Sequence, residues 1–393
     1  MASAARRVEL VDALRAFALA GILQVNIQSF LWGAGDPLGY FLTAPSVLDR
    51  GVHWLVGTFI SIKFISFFAF LFGVGAAFQW RKLCRQYGSA GAAQLHYRRR
   101  LRFLLAIGIA HGTLLYFGDI LTFYALCGFI LLHYIGARPA QLVRALRHWW
   151  IAFAVLTVAV WLANALGRAL APPATAAGEI PLAMLQRFGV YGGGSYVQQL
   201  GPRLGDFVSV QVSLVVASVP QVVGLFLLGL LAGRQGWLVH PERHPRVWRA
   251  AVRIGLAALP VAALGAWLNQ QSVLTQPGDP PFIGYFLQLV GSATTCLYVA
   301  LFVRWREHAV VQSAMRWLAP AGRMPLTNYL LQSVLMGALL SGWGLGLGPG
   351  MSHVELAALA LAIVVLQWLA SRAWIARFDQ GPVEAWWRRA TYG

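Results

Sequence analysis

Three residues whose side chains can do acid–base chemistry, Lys63, His111 and Asp119, lie together with the amide of Asn26 within a strongly apolar chain. An amide, an ammonium, an imidazole and a carboxylate together can relay protons or activate a nucleophile. Each lies within or beside an apolar run of the length that crosses a bilayer. Because an ionisable side chain in hydrocarbon costs about 2.5 to 3.5 kcal/mol on insertion scales, the three that can carry charge are candidates for function.

If the apolar runs are helices, these four residues share the outer half of the membrane. Lys63 lies about nine residues from the outer end of its run, and His111 precedes Gly118 by seven residues. Two interpretations stay open. Either the four groups form a proton relay or a general-base site, or Lys63 and Asp119 form a buried ion pair that fixes helix packing, with His111 satisfied by a backbone carbonyl.

Two further polar stripes are predicted on helix faces. Asp12, Arg15 and Asn26 fall within a narrow sector of the first helix at 3.6 residues per turn. Asn328 and Gln332 are four residues apart and share a face. Each stripe either lines a substrate path or joins neighbouring helices by hydrogen bonds, with Asp12 and Arg15 paired at the cytoplasmic interface.

A basic cluster consists of Arg98, Arg99, Arg100 and Arg102. Such clusters most often bind anionic lipid headgroups on the cytoplasmic side of a membrane. The same arginines can also hold the phosphates of a nucleotide-bearing donor such as coenzyme A.

The elements that must position these residues are transmembrane helices. Only 11% of the 393 residues are charged, against about 25% in soluble domains, so a water-exposed surface cannot be built. The predicted helices are 12–33, 54–79, 102–117, 119–136, 149–170, 207–233, 250–268, 282–303, 324–347 and 354–376. The chain is therefore predicted to be all-α, a single polytopic membrane domain over residues 1–393.

The distribution of basic residues predicts the orientation. The net charge of +18 suggests a nucleic-acid-binding protein only if the positions of the charges in the chain are ignored. Of the 31 lysines and arginines, 25 fall in alternate loops. Because such loops stay in the cytoplasm, both chain ends are predicted there, in a bacterial inner membrane with lipids as the surrounding partner. We expect no nucleic-acid partner, and a first helix that is retained rather than cleaved.

Motifs for metals and common cofactors are missing from the sequence. Cys84, Cys127 and Cys296 are isolated, so neither a disulfide framework nor a zinc site is expected. There is no Walker loop, GxSxG, HExxH or dinucleotide fingerprint in a suitable context. We predict no metal site, no covalently bound cofactor and no ATP-driven transport by this chain alone.

Several short motifs resemble those of one family. They are Val11–Arg15, Ile22–Asn26, Phe70–Gly75, His111 with Gly118–Leu121 and Tyr124–Ala125, Gly322–Gln332 and Gly381–Arg388. Over nearly its whole length the chain resembles the YeiB-like bacterial membrane proteins, a family known as domain of unknown function 418.

That family is similar to a wider superfamily of membrane acyltransferases, which includes the acyltransferase-3 sugar O-acetyltransferases and the heparan glucosaminide N-acetyltransferases. Their first helix carries Asp-x-x-Arg-Gly, whereas Ala16 stands at the glycine position here. Asn26 stands where acyltransferase-3 proteins often carry a histidine. The resemblance therefore implies acyl transfer with His111, or less readily His53, as the base.

The resemblance implies a donor, an acceptor and roles for the candidate residues. Acyl-coenzyme A would donate from the cytosol, near Asp12, Arg15 and the arginines at 98–102, to a glycan or small-molecule hydroxyl or amine at the outer face. His111 would be the base, Asp119 would orient it and Lys63 would stabilise the oxyanion. The alternatives are a proton-coupled secondary transporter of a small molecule and a scaffold without chemistry.

Overall fold

The chain is an all-α helical bundle. The computed structural model describes residues 2–35, 46–170, 182–275 and 284–392, and within these ranges it contains no strand. The helices are α1 (Ala2–Ser29), α2 (Val47–Phe59), α3 (Lys63–Tyr87), α4 (Ala90–Leu114), α5 (Leu121–Leu131), α6 (Pro139–Leu170), α7 (Leu182–Gly193), α8 (Tyr196–Gln235), α9 (Pro245–Thr275), α10 (Gly284–Trp305), α11 (Ala309–Gly322), α12 (Pro325–Leu340), α13 (His353–Ile375) and α14 (Pro382–Tyr392). The predicted fold class is confirmed.

Several helices are long and apolar enough to cross a bilayer. In the described ranges there are six, namely Glu9–Ser29, Val47–Tyr87, Pro139–Gly167, Tyr196–Gln235, Pro245–Gln271 and His353–Ile375. Two shorter apolar helices, Leu121–Leu131 and Leu289–Trp305, accompany them. The chain is a multi-pass membrane protein, while the count of ten crossings and the sidedness remain predictions.

The helix ends follow from local sequence. Among the described residues three helices begin with a capping box, in which a serine side chain accepts a backbone N–H and the acidic or amide residue three positions later accepts the serine N–H. The pairs are Ser46–Asp49, Ser195–Gln198 and Ser352–Glu355. Helices α3 and α8 end at Gly88 and Gly236, whose φ angles of +70° and +72° suit glycine.

The predicted helix 54–79 is wrong as a single element, because the chain breaks between α2 and α3. Ile62 has a φ of +69°, an unusual conformation for a β-branched residue. Val56 O accepts N–H groups from both Ile60 and Ser61, and the Lys63 side chain reaches back to the α2 end. Polar side-chain bonding to the freed carbonyls allows such a break inside a membrane.

The core of the bundle is the contact between α3 and α8. Gly73 and Gly229 lie at this contact, where a Cβ on Gly73 would collide with the Phe226 carbonyl and one on Gly229 with the Phe70 carbonyl. Small residues allow the two backbones to approach. Helix α8 continues through Pro220 without a break.

The final helix, α14, joins two helices that are distant in sequence. Its Glu384 accepts the backbone N–H groups of Leu326 and Thr327 at the start of α12. Its Trp387 donates from the indole to the Arg100 carbonyl of α4 at 3.3 Å, and the Arg100 guanidinium lies 3.7 Å from the centre of the Trp387 ring. Helices α4 and α12 are thus held together at the end where α14 lies.

Candidate functional site

His111 lies in the last turn of α4 and is 2% exposed. Gly108, one turn earlier, allows α4 to pack closely against the start of α5. A Cβ at that position would lie 2.6 Å from Thr122 Oγ1 and 2.9 Å from Asp119 Oδ2. The glycine therefore makes room for the carboxylate that His111 binds.

His111 and Asp119 form a hydrogen-bonded pair inside the protein. Nδ1 of His111 lies 2.8 Å from Oδ1 of Asp119, and neither side chain is exposed. The other carboxylate oxygen accepts the Thr122 backbone N–H at 2.7 Å, which fixes the carboxylate at the start of α5. Because Asp119 accepts from Nδ1–H, the Nε2 atom of a neutral imidazole is left as the acceptor.

The residue that uses this acceptor is Ser333 of α12, with Oγ 2.8 Å from His111 Nε2. Ser333 is 2% exposed. The order Asp119, His111, Ser333 reproduces the hydrogen bonds of a catalytic triad, which is recognised by geometry and not by chain position. Sequence reasoning missed Ser333, because it carries no nucleophile motif and lies 222 residues from its partner.

Two tyrosines enclose the imidazole. The Tyr329 ring centre lies 4.9 Å from that of His111, and the Tyr116 ring centre lies 6.4 Å away. The Tyr329 hydroxyl accepts the Ile120 N–H at 3.3 Å. Tyr116 Oη lies 3.4 Å from Ser29 Oγ. Helix α1 therefore reaches the site through Ser29 and Tyr116.

Lys63 has a different partner from the one predicted. It is 1% exposed, and its ammonium donates to the Gly57 carbonyl at 2.5 Å. In the parts of the chain that the structure describes, no carboxylate pairs with it, so the predicted alternative of a Lys63–Asp119 ion pair is wrong. A cation at the carboxyl end of a helix is stabilised by the helix dipole, which here replaces a carboxylate.

Asn26 is half-buried, and among the described residues its one contact is through the backbone, from Ser29 Oγ to its carbonyl oxygen. It shares no recorded bond with His111. The polar side chains of α1 that bind another helix are Gln24 and Gln28, which donate to carbonyls of α13. His53 packs at 5.6 Å between ring centres against His353 of α13, in a group separate from His111.

The remaining polar candidates of α1 and α12 differ in their contacts, because Asp12 and Arg15 pair within α1 whereas Asn328 and Gln332 bond to α13. Asp12 and Arg15 form an ion pair of 2.8 Å. Asn328 donates to Ser371 at 3.0 Å, and Gln332 donates to Gln367, also at 3.0 Å. The contacts of Asn328 and Gln332 agree with the helix-bridging interpretation of the α12 stripe, and the Asp12–Arg15 pair agrees with the predicted pairing within α1.

Asn328 and Gln332 also line a cavity of about 10 Å³ between α1, α11, α12 and α13. That volume holds about one water molecule. The buried Oε1 of Gln332 has no hydrogen-bond partner among the described residues. Gln332 is adjacent to Ser333, so this unsatisfied acceptor lies on the neighbouring face of the helix that carries the serine.

The basic cluster lies towards the amino end of α4. Arg98, Arg99 and Arg102 are exposed, and Arg100 packs on Trp387. Arg102 and His111 are nine residues apart on one helix, which is roughly 14 Å at 1.5 Å per residue. The arginines therefore do not touch His111.

A larger cavity of about 350 Å³ lies elsewhere, between α3, α8, α9 and α10. Its lining is apolar apart from Thr295, Cys296 and the indoles of Trp237 and Trp248. No triad residue lines it. Such a lining suits hydrocarbon and not a polar acceptor.

Comparison with known proteins supports the resemblance noted from the motifs. Residues 232–393 match a family described as "Protein of unknown function (DUF418)". The chain is 30% identical to "Uncharacterized protein YxaH" of Bacillus subtilis, with 98% of this chain and 94% of that protein covered. It is 28% identical to "Uncharacterized protein YeiB" of Escherichia coli, with 97% and 95% covered. The family match contains Ser333 but neither His111 nor Asp119.

Proposed function

This chain belongs to the YeiB-like DUF418 family, and on that premise we propose that it is a membrane-bound acyltransferase of the bacterial inner membrane. It moves an acyl group from a cytosolic acyl-coenzyme A donor to a hydroxyl or amine acceptor at the outer face. The observation that carries the proposal is the placement of His111 between a carboxylate and a hydroxyl, at 2.8 Å from each.

Acyl transfer requires a base that removes a proton from the attacking hydroxyl or amine. His111 Nε2 is an acceptor because Asp119 holds the hydrogen on Nδ1. The Ser333 hydroxyl lies at the position from which a hydroxyl or amine can give its proton to His111 Nε2. General-base catalysis of this kind contributes about 10²- to 10⁴-fold.

The distribution of charge supports entry of the donor from the cytoplasmic side. The exposed Arg98, Arg99 and Arg102 offer cations for phosphates, and the same helix leads to His111. Next to Ser333, the unpaired Oε1 of Gln332 can accept an amide N–H of the donor. A buried unsatisfied carbonyl costs about 1–3 kcal/mol, which such a bond would remove.

The test uses purified protein in lipid nanodiscs with a set of acyl-coenzyme A donors and simple sugar or amine acceptors. Release of the coenzyme A thiol and formation of acylated acceptor are both measured. His111→Ala should lower both by about 10²-fold or more, while His148→Ala, at an exposed histidine, should retain them. Equal turnover in His111→Ala, or none in the wild type, would refute the proposal.

The orientation is tested separately by cysteine labelling in a background without Cys84, Cys127 and Cys296. Leu345 and Glu242 are both exposed. With both chain ends in the cytoplasm, Leu345→Cys should react with an impermeant maleimide in intact spheroplasts, and Glu242→Cys only after lysis. The reverse pattern would invert the direction of transfer.

A second candidate is a proton-coupled transporter, which the break between α2 and α3 favours. Discontinuous helices, whose ends and freed carbonyls form the substrate and ion sites, are a feature of secondary transporters. Ile62 in a left-handed conformation and the buried Lys63 fit that description. Solute uptake by proteoliposomes that Asp119→Asn abolishes, without any release of thiol, would favour this candidate over acyl transfer.

A further inference from the structure

We propose that Ser333 is the nucleophile of this site and carries the acyl group as an ester before the acceptor receives it. The proposal rests on the acyl-transfer function and adds a covalent intermediate to it. Its basis is the unbroken line of hydrogen bonds from Asp119 through His111 to the Ser333 hydroxyl.

The direction of these bonds matches the requirement for activating a serine. Asp119 is held by the Thr122 N–H on one oxygen and accepts from His111 on the other. The imidazole therefore presents a bare Nε2 to Ser333, and the serine hydroxyl must donate. This is the protonation state in which a serine oxygen can attack a carbonyl carbon.

Ser333 also differs from several threonines in the apolar helices. A serine or threonine within a helix commonly bonds to a carbonyl three or four residues earlier. Thr113, Thr294 and Thr295 all do so here, to Ile109, Val290 and Gly291 respectively. The bond that the structure records for Ser333 is to the imidazole of another helix, so its hydroxyl is oriented by His111 and not by its own backbone.

In the first step the Ser333 Oγ attacks the thioester carbonyl of the donor while His111 Nε2 takes the hydroxyl proton. The new C–O bond forms and the C–S bond breaks. The departing thiolate receives the proton from His111 and leaves as the free thiol of coenzyme A. The products are an acyl ester on Ser333 and a neutral imidazole.

In the second step the acceptor hydroxyl or amine gives a proton to His111 as its oxygen or nitrogen attacks the ester carbonyl. The bond to Ser333 Oγ breaks, and that oxygen recovers the proton from His111. One thioester and one alcohol or amine become one thiol and one ester or amide. The serine lets the donor leave before the acceptor binds, so one buried base can serve reactants from both membrane faces.

Tyr329 is placed to stabilise the negative oxygen that develops in both steps. It lies four residues before Ser333, on the same face of α12. Its hydroxyl accepts the Ile120 N–H, and among the described residues the hydroxyl hydrogen has no acceptor. A positioned O–H donor near a developing oxyanion contributes about 10²- to 10³-fold.

The first experiment does not depend on the acyl donor. Protein in nanodiscs is incubated with a small alkyl fluorophosphonate, which modifies activated serines, and the α12 peptide is analysed by mass spectrometry. The expected result is one adduct on Ser333, lost in Ser333→Ala and at least tenfold slower in His111→Ala. Ser66→Ala is the control, because Ser66 is equally buried but bonds to Gln221. An unmodified Ser333 would overturn the proposal.

The second experiment traps the intermediate by acid quenching after a short exposure to acyl-coenzyme A without acceptor. The expected mass increase is one acyl group on Ser333, and in Ser333→Cys the same group as a thioester that hydroxylamine removes readily. If Ser333→Ala still transfers at the wild-type rate, transfer is direct, so this proposal falls and the acyltransferase function stands. If Ser333 is phosphonylated in a His111-dependent manner but no donor yields thiol, the nucleophile stands and the acyltransferase function falls.

Discussion

The carboxylate of Glu384 accepts the backbone N–H of Leu326 at 2.7 Å. The same carboxylate accepts the Thr327 N–H and hydroxyl, at 3.0 Å and 2.5 Å. Because Pro325, the first residue of α12, has no backbone N–H, Leu326 and Thr327 provide the first backbone N–H groups of the helix that carries Ser333. The motifs Gly322–Gln332 and Gly381–Arg388, which resemble those of the family, are therefore in contact with each other.

Loss of this cap should destabilise α12. Glu384→Ala leaves two backbone donors and the Thr327 hydroxyl without their acceptor, and loss of an N-terminal cap costs about 1 kcal/mol. We expect a lower unfolding midpoint in detergent and reduced acyl transfer, because Ser333 moves with the helix. The measurement is thermal unfolding followed by helical circular dichroism.

The matched control is Glu307→Ala, since Glu307 has a side chain that is 78% exposed and an ion pair with Arg306. A surface pair contributes little, so this variant should unfold like the wild type. An equal loss of stability in both variants would show that the Glu384 cap has no special role.

Gly108→Ala should disrupt the candidate site without removing any of its functional groups. The new methyl would lie 2.9 Å from the Asp119 carboxylate and 2.6 Å from the Thr122 hydroxyl. Over-packing of this kind costs about 1–3 kcal/mol, and it displaces the carboxylate that orients His111. Fluorophosphonate labelling of Ser333 should slow in parallel.

Gly91→Ala provides the comparison on the same helix. No atom lies within 4 Å of a Cβ built at Gly91, so alanine there should maintain or slightly raise stability by restricting the unfolded chain. Normal labelling of Ser333 in Gly108→Ala would mean that the position of Asp119 does not control the serine.

The sequence predicted those features of the structure that depend on residues close to one another along the chain. Hydropathy predicted the all-α class, and the sequence placed His111 and Asp119 at a similar depth, while their pairing was only what the family resemblance implied. Ser333 could not be found this way, because a single serine among leucines gains meaning only when the fold brings α12 beside α4. The partner of Lys63 was missed because any backbone carbonyl can accept a hydrogen bond, and no residue type marks which carbonyl is free.

Lys63 should therefore affect the break between α2 and α3 more than the chemistry at His111. Lys63→Met leaves the Gly57 carbonyl without its donor, which costs about 1–3 kcal/mol in a buried position. Lys63→Gln keeps an N–H that can reach the carbonyl and should lose less stability. Unfolding midpoints of both variants, compared with the wild type, give the ranking; a methionine variant as stable as the glutamine variant would contradict it.

The ionisation of the Tyr191 hydroxyl, on α7, should make the stability of the folded protein depend on pH in the alkaline range. Burial, and then the neighbouring Asp206 carboxylate that accepts its hydroxyl at 2.7 Å, raises the pKa of Tyr191 above its ordinary value of 10.0. The folded protein thus keeps a proton that the unfolded chain loses near pH 10. Its contribution to stability is complete below that pH and decreases as pH rises beyond it.

We expect the unfolding midpoint of the wild type to fall between pH 9.5 and pH 11 more steeply than that of Tyr191→Phe, which has no hydroxyl to ionise. At pH 8 the wild type should have the higher unfolding midpoint, because the phenylalanine variant lacks the bond to Asp206, and that carboxylate then relies on Arg187 at 3.3 Å. The curves of the two proteins should therefore converge as pH rises. Parallel curves over the whole range would show that the Tyr191 hydroxyl ionises equally in the folded and unfolded chain, and that its contact with Asp206 contributes nothing to holding α7 on α8.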